Sequence, residues 1–188
     1  MASNRKDDPV APEEITLSTV DESRFGQLRE LYALTWRATY EDRVGSAVVS
    51  DMVAQLSEPF VGGMAPAGVQ VFGAYLPSGP LIGVSILREA KDVAYLWGMY
   101  VPPPHQKSGV GRRLMAAAIQ SLTSAKTVEV RVLKTSLGAR AFYEALGFVG
   151  IREEDAEMFA GVVERLLVMA CSRTGRPWIG DGPFPPRA

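Results

Sequence analysis

The stretch His105-Gln106-Lys107-Ser108-Gly109-Val110-Gly111-Arg112-Arg113 decides how the rest of the chain is read. An apolar run over residues 93–101 enters it through Pro102, Pro103 and Pro104, and an amphipathic run over residues 110–122 leaves it. This order predicts a strand, a phosphate loop and a helix. Two glycines at a helix start let the backbone turn at positive φ and come close to a ligand, and the first amides of a helix have no partner within it. With the helix dipole behind them, such amides bind phosphate.

The bulk of the sequence sets the frame around this loop. At 188 residues the chain suits one domain, which would bury roughly 70% of the surface its unfolded form exposes. Hydrophobic residues make up 47% and charged residues 22%, and no apolar run approaches the roughly 20 residues that span a bilayer. A soluble globular protein without a membrane segment is expected. The formal net charge is -1 and the dense basic spot is Arg112-Arg113, so the footprint of a nucleic-acid binder is missing. Cys171 is the sole cysteine and has no internal disulfide partner, and His105 is the sole histidine, which excludes a histidine-rich metal cluster. Residues 1–14 are polar and lack the apolar core of a signal peptide, so the expected compartment is the cytoplasm.

Residues 1–14 read as a loose tail, residues 15–170 as the folded domain and residues 171–188 as a proline-rich arm that also carries Trp178 and Phe184. Ile15, Leu17 and Val20 suggest a first strand. Phe25, Leu28, Leu31, Tyr32, Thr35 and Trp36 then recur at helical spacing behind Asp21 or Ser23 as a cap, giving a helix to about Ala38 and a loop over residues 39–45. A shorter helix is predicted over residues 47–56, followed by glycine- and proline-rich punctuation over residues 58–68. Residues 69–76 and 81–87 are β-rich runs joined by Pro77-Ser78-Gly79-Pro80, and Lys91-Asp92 turns the chain into residues 93–101, completing an antiparallel meander.

In the helix after the glycine loop Val110, Leu114, Ala118 and Leu122 make one apolar face. Val128, Val130 and Val132 alternate with Glu129 and Arg131 as a strand, and a crossover of this length makes it parallel to residues 93–101. A helix over residues 136–146 ends at Gly147 as its C-cap, and residues 148–151 and 162–170 are the last strands, with an acidic loop of Glu153, Glu154, Asp155 and Glu157 between them. The predicted class is α/β (α+β mixed): a mixed, mostly antiparallel sheet of about six or seven strands flanked by about four helices.

Two motifs make the chain resemble the GNAT superfamily of acyl-CoA-dependent N-acyltransferases over residues 15–170. One is Met99-Tyr100-Val101 followed by Pro103 and then Gln106-x-x-Gly109-x-Gly111-Arg112. The other runs from Val132 through Ser136 to Phe142-Tyr143-Glu144-Ala145-Leu146-Gly147-Phe148. The resemblance implies acetyl-CoA as cosubstrate, held by Met99, Tyr100, Val101, Gln106, Lys107, Ser108, Gly109, Val110, Gly111, Arg112, Ser136 and Tyr143. The residues agree with it: amides from Lys107 to Arg112 can cradle a pyrophosphate, and Met99 and Val101, two apart on a strand, can pair with pantetheine amides.

The implied reaction is direct acyl transfer from the thioester to an amine, without a covalent adduct on the protein. Cys171, near the end of the last strand, reads as an inert thiol. The resemblance assigns the oxyanion to the Met99 N–H and leaving-group protonation to Tyr143, and a phenol with its ordinary pKa of about 10 is a competent acid at neutral pH. Many relatives carry a glutamate on the strand that here reads Val93-Ala94-Tyr95-Leu96-Trp97-Gly98-Met99. Without it, Glu129 is the nearest acidic candidate for general base, against its reading as part of a polar strand face, and a water chain to Glu41, Asp42 or the acidic loop is the other route. Ser136 stands where the family often has asparagine, and either bonds the CoA arm or caps the helix.

The resemblance places the acceptor between the loop after the first helix and the loop between the last strands. Trp36, Tyr40, Trp97 and Glu153 are the expected acceptor contacts, an aromatic wall with a carboxylate rim suited to a cationic amine, set against a core tryptophan and a solvated acidic loop. The expected acceptor is the primary amine of a small cationic molecule, with a protein N-terminus or lysine as the alternative and a non-catalytic acyl-CoA-binding sensor or interaction module as the alternative of another class; no nucleic-acid or membrane partner and no metal are expected. Sheet edges and the aromatic arm are compatible with a homodimer.

Overall fold

The computed structural model describes residues 15–54, 68–159 and 161–173. Strands β1 (Thr16–Thr19), β2 (Val69–Tyr75), β3 (Leu81–Ala90), β4 (Val93–Tyr100), β5 (Thr127–Leu133), β6 (Val149–Phe159) and β7 (Val162–Ser172) form a 7-stranded sheet in the order β1-β2-β3-β4-β5-β7-β6. Helices α1 (Phe25–Val44), α2 (Ser46–Ala54), α3 (Val110–Gln120) and α4 (Leu137–Glu144) accompany it. β4 and β5 are parallel, as the length of the α3 crossover requires, whereas β1–β2, β5–β7 and β6–β7 are antiparallel. This is the mixed, mostly antiparallel sheet expected from the sequence.

The described residues fall into two compact units, one comprising residues 15–54, 71–85 and 99–117, the other residues 68–70, 86–98, 118–159 and 161–173. In the first, Ile15, Ala74, Ile82, Val110 and Leu114 form a buried cluster on which Leu17, Phe72, Leu76, Met99 and Val101 pack. The first turns of α3 are thereby seated on the strands. Gly83 permits the close approach: a Cβ there would lie 2.9 Å from both Leu114 Cδ1 and Val110 Cγ1. Arg113 Nη2 adds a hydrogen bond to the Ile15 carbonyl at 2.7 Å, so its charge is committed to β1's entry and does not join Arg112 at the loop.

α1 buries Leu28, Leu31, Tyr32 and Thr35, the stripe its sequence predicts. It does not stop near Ala38. The expected loop over residues 39–45 is helix as far as Val44, ended at Gly45 with φ 85°, and Thr39 returns its hydroxyl to the Thr35 carbonyl at 2.7 Å. Asp21 does act as a local cap, accepting the Ser23 N–H at 2.9 Å, but it caps the short 3-10 turn Glu22–Arg24 that precedes α1.

In the second unit Val128, Val130 and Val132 of β5 are buried and alternate with Glu129 and Arg131, as predicted. Gly147 ends the α4 segment at φ 87°, with the Phe148 N–H bonded to the Tyr143 carbonyl at 3.0 Å. The acidic segment is the clearest correction. Glu153, Glu154, Asp155 and Glu157 lie within β6, in register with Leu167, Leu166, Arg165 and Val163 of β7, so they belong to a strand and not to a loop. β7 in turn continues through Cys171 and Ser172, two residues into the expected arm. The remainder of that arm, the tail over residues 1–14 and most of the punctuation over residues 58–68 lie outside the described residues.

Candidate active site

The glycine loop acquires its shape from β4 and the prolines after it. Proline supplies no N–H for a ladder and fixes φ, and β4 indeed ends at Tyr100. Pro102 stands at φ -56° and ψ 147°, and Pro103–His105 make one 3-10 turn. Val101, expected to pair as strand, lies just past it, and its carbonyl accepts the Gln106 side-chain Nε2 at 2.9 Å. Gln106 therefore braces the loop from within.

Two residues separated by Ser108 then adopt left-handed backbone, Lys107 at φ 61° and Gly109 at φ 90°. For lysine this conformation is uncommon and costs energy. Left-handed residues among right-handed ones turn successive N–H groups toward one point, the arrangement known as an anion nest. Ser108 Oγ holds the turn by bonding to the His105 carbonyl at 2.6 Å, and α3 begins at Val110, with the Arg113 N–H bonded back to Gly109 O at 3.1 Å. Among the described residues no carbonyl takes the N–H groups of Lys107 through Arg112. Six N–H groups without a backbone acceptor, at the positive end of an 11-residue helix that carries Arg112 in its first turn, are a donor set that could hold a diphosphate.

The parallel ladder between β4 and β5 runs from Val93–Thr127 to Leu96–Val130, and the residues of β4 from Trp97 to Tyr100 continue past it. Met99 thus lies on a stretch of strand that β5 does not pair. Trp97 is 47% exposed with the Arg88 guanidinium 5.5 Å above its ring, so it is not a core tryptophan.

Tyr143 of α4 is buried at 7% exposure and its ring meets Phe142 and Phe148 at 5.2 and 5.4 Å. Ser136 is the residue before α4, but its side chain makes no capping hydrogen bond. Of the two readings of that hydroxyl, helix capping by the side chain is not realised.

Trp36 and Tyr40, expected as acceptor contacts on a loop, lie on the long helix α1. Trp36 stacks with Tyr32 at 5.2 Å, and Tyr100 at the end of β4 meets Tyr32 at 5.1 Å and Trp36 at 6.4 Å. Burial pushes the Tyr32, Tyr40 and Tyr100 phenols well up from their ordinary values, leaving each a neutral group at physiological pH. The sequence reading named Tyr100 for its backbone and missed its ring.

Four of the carboxylates named for base and rim are in ion pairs. Glu129, only 16% exposed, takes Arg152 Nη2 at 3.3 Å; Glu154 pairs with Arg131 and Arg152; Glu153 pairs with Lys134 at 2.8 Å and Arg165 at 3.6 Å; and Asp155 pairs with Arg165. The Lys134 ammonium holds the Glu153 carboxyl below its ordinary range. Glu129, Glu153, Glu154 and Asp155 are paired with Arg131, Lys134, Arg152 and Arg165, whereas Glu157 of β6 accepts the Gly161 N–H at 2.7 Å, so pairing reduces the negative charge of this surface without cancelling it.

A model of the acetyltransferase (GNAT) family matches residues 26–148. The fold is similar to that of PaiA N-acetyltransferase from Thermoplasma acidophilum in complex with coenzyme A, at 18% identity and TM-score 0.69 over 84% of this chain and 98% of that one. It is also similar to the ribosomal-protein-S18-alanine N-acetyltransferase of Escherichia coli, at 17% identity and TM-score 0.62 over 87% and 96% of the two chains. A third likeness is to spermidine N-acetyltransferase SpeG of Vibrio cholerae, at 17% identity and TM-score 0.60 over 86% and 95%. No curated protein sequence matches the chain, and none of its described helices is long and apolar enough to cross a membrane. The matched span begins in α1 and ends just past α4, taking in the proline-braced strand end, the nest and the Tyr143 helix, and it covers more than half of the sequence: the chain belongs to the acetyltransferase (GNAT) family.

Proposed function

We propose that the chain is an N-acetyltransferase that moves the acetyl group of acetyl-CoA directly onto a primary amine. The observation that carries this reading is the nest: left-handed Lys107 and Gly109 running into the first turn of α3, with the amides from Lys107 to Arg112 unclaimed. That geometry suits the pyrophosphate of a CoA ester, with the Arg112 charge beside it. Met99, Tyr100 and Val101 offer backbone groups to the pantetheine arm, and the unclaimed Ser136 hydroxyl is its further polar contact. The Met99 N–H is assigned to the oxyanion and Tyr143 to protonation of the departing thiolate.

For the acceptor, Trp36 and Tyr40 with Tyr32 and Tyr100 supply an aromatic wall. Trp97 and Glu153 remain assigned as outer contacts, but Glu153 brings an ion pair and not a free carboxylate. Ion pairing of Glu129, Glu153, Glu154 and Asp155 reduces the electrostatic pull on a small cationic acceptor without cancelling it, since β6 carries four carboxylates against one arginine. Small-molecule amines and protein amino groups are both acceptors this reading accommodates. Release of free thiol from acetyl-CoA in the presence of a panel of primary amines tests the proposal. Amine-dependent release supports it, and binding of acetyl-CoA without release from any amine identifies a cofactor-binding module instead.

A further inference from the structure

We propose that Gln106 and Ser108 are positioning residues with divided duties: the Gln106 side chain sets the strand end that pairs with the pantetheine arm of acetyl-CoA, and the Ser108 side chain sets the nest that takes its diphosphate. Each side chain acts through the backbone atom it holds and not by touching the cosubstrate. The inference rests on the acetyltransferase reading above and assigns the two halves of the cosubstrate to two separate braces within one loop.

The prolines after β4 create the need for the first brace. Pro102, Pro103 and Pro104 carry no N–H, so the donor that would close a turn on the Val101 carbonyl, three residues on, does not exist. The next two N–H groups are spent inside the 3-10 turn, His105 on the Pro102 carbonyl at 2.9 Å and Gln106 on the Pro103 carbonyl at 3.2 Å. The Gln106 carboxamide supplies the missing donor, with Nε2 2.9 Å from the Val101 oxygen. That bond spans the whole turn and fixes the angle at which Val101 leaves β4, which ends at Tyr100. A carbonyl oxygen has a second lone pair, so Val101 can still accept from an amide of the arm.

A different exchange makes the second brace. In an ordinary turn the His105 carbonyl would take the Ser108 N–H, three residues on. Here it takes the Ser108 hydroxyl, at 2.6 Å, and the Ser108 N–H stays among the amides that no carbonyl claims. Ser108 sits between the left-handed residues Lys107 and Gly109, at φ 61° and 90°, and left-handed backbone is costly for lysine. The hydroxyl bond offsets part of that cost and helps hold both left-handed residues in place. The two braces share no residue, one joining Val101 to Gln106 and the other His105 to Ser108, so either can be removed with the other intact. All four residues lie in one compact unit, within its segment 99–117.

The test uses acetyl-CoA and its two halves, pantetheine and the adenosine diphosphate that carries the ribose phosphate, each half titrated as a competitor of acetyl-CoA against the full chain and its variants. Gln106→Ala is expected to weaken pantetheine about three- to tenfold, the factor one lost hydrogen bond gives, and to leave the nucleotide half unchanged. Ser108→Ala should do the reverse. Gln106→Lys keeps an N–H donor at this reach and should restore pantetheine, which is uncharged and so does not respond to the new charge. Ser108→Thr keeps the hydroxyl and should restore the nucleotide half. Melting temperatures read alongside separate these losses from unfolding, and Gln106→Met and Ser108→Cys, which keep the shape and lose or weaken the donor, serve if an alanine variant does not fold. Equal weakening of both halves by either variant, no weakening by one of them, or a loss confined to the nucleotide half in Gln106→Ala, which would make that side chain a phosphate contact, would each overturn the inference. So would a parent chain that binds acetyl-CoA but from which pantetheine displaces none. A folded parent that binds neither acetyl-CoA nor either half would overturn the acetyltransferase reading and this inference with it.

Discussion

Gly83 and Leu114 lie so close that a single methyl on the glycine would stand 2.9 Å from Leu114 Cδ1, in a region where Leu114 is fully buried. The contact fixes where α3 begins, and hence where the nest amides point. Gly83→Ala should cost about 1–3 kcal/mol of stability, as overpacking does, and should weaken acetyl-CoA binding by displacing the helix start. Gly138, exposed on α4 with nothing within 4 Å of a built Cβ, is the control: Gly138→Ala should raise stability by about 0.5–1 kcal/mol. Melting temperature and cofactor affinity of the two variants, measured together, check both expectations.

Gly109 raises no steric issue, since a Cβ there meets nothing within 4 Å, yet its φ of 90° strains any L side chain. Gly109→Ala is expected to lower affinity for acetyl-CoA about tenfold or more while moving the melting temperature little, because about 1–2 kcal/mol of backbone strain falls on the nest itself. An Ala variant that binds as tightly as the parent would show that the left-handed turn is not used.

Tyr143→Phe keeps the ring that packs on Phe142 and Phe148 and removes the hydroxyl. If Tyr143 protonates the leaving thiolate, kcat should fall on the order of 10²-fold with the dissociation constant for acetyl-CoA nearly unchanged. Unchanged kcat in a folded variant would reduce Tyr143 to a core aromatic.

Glu89 is a structural carboxylate with a measurable pH signature. Burial pushes its pKa up, but hydrogen bonds from the Ala125, Ser124 and Thr123 N–H groups and the Thr123 hydroxyl outweigh this and hold it at about 2. A folded-state value below the ordinary one means stability that is present above roughly pH 4.5 and lost as pH falls toward 2. Glu89→Gln should therefore melt several degrees below the parent at pH 7, with the gap closing across that window. A gap independent of pH would contradict the assignment.

What the sequence made legible was local and periodic. The run Val93 to Val101, the three prolines, the glycine pair and the four-residue repeat of Val110, Leu114 and Ala118 announce a strand, a loop and a helix without outside help, and the length of the crossover sets β5 parallel. Long-range partners were not legible. Arg113 looks like a phosphate ligand until its carbonyl partner appears 98 positions away at Ile15. Glu153 and Glu154 look like loop residues because the cations that pair with them lie 19 and 23 positions back, Lys134 just past β5 and Arg131 on β5, with β7 between β5 and β6 in the sheet. The last turns of α1 continue the row Tyr32, Trp36, Tyr40 and Val44, four residues apart, but Arg37, Thr39, Glu41, Asp42 and Arg43 between them gave the stretch the composition of a loop. Lysine at a left-handed position has no signal in the residue type at all.

Calorimetric titration of the folded chain with acetyl-CoA tests the central claim most directly. Saturable heat at one site per chain, with a matching rise in melting temperature and a weakening of both in Gly109→Ala, is the predicted result. A folded protein that gives neither heat nor stabilisation with acetyl-CoA would contradict the account at its root.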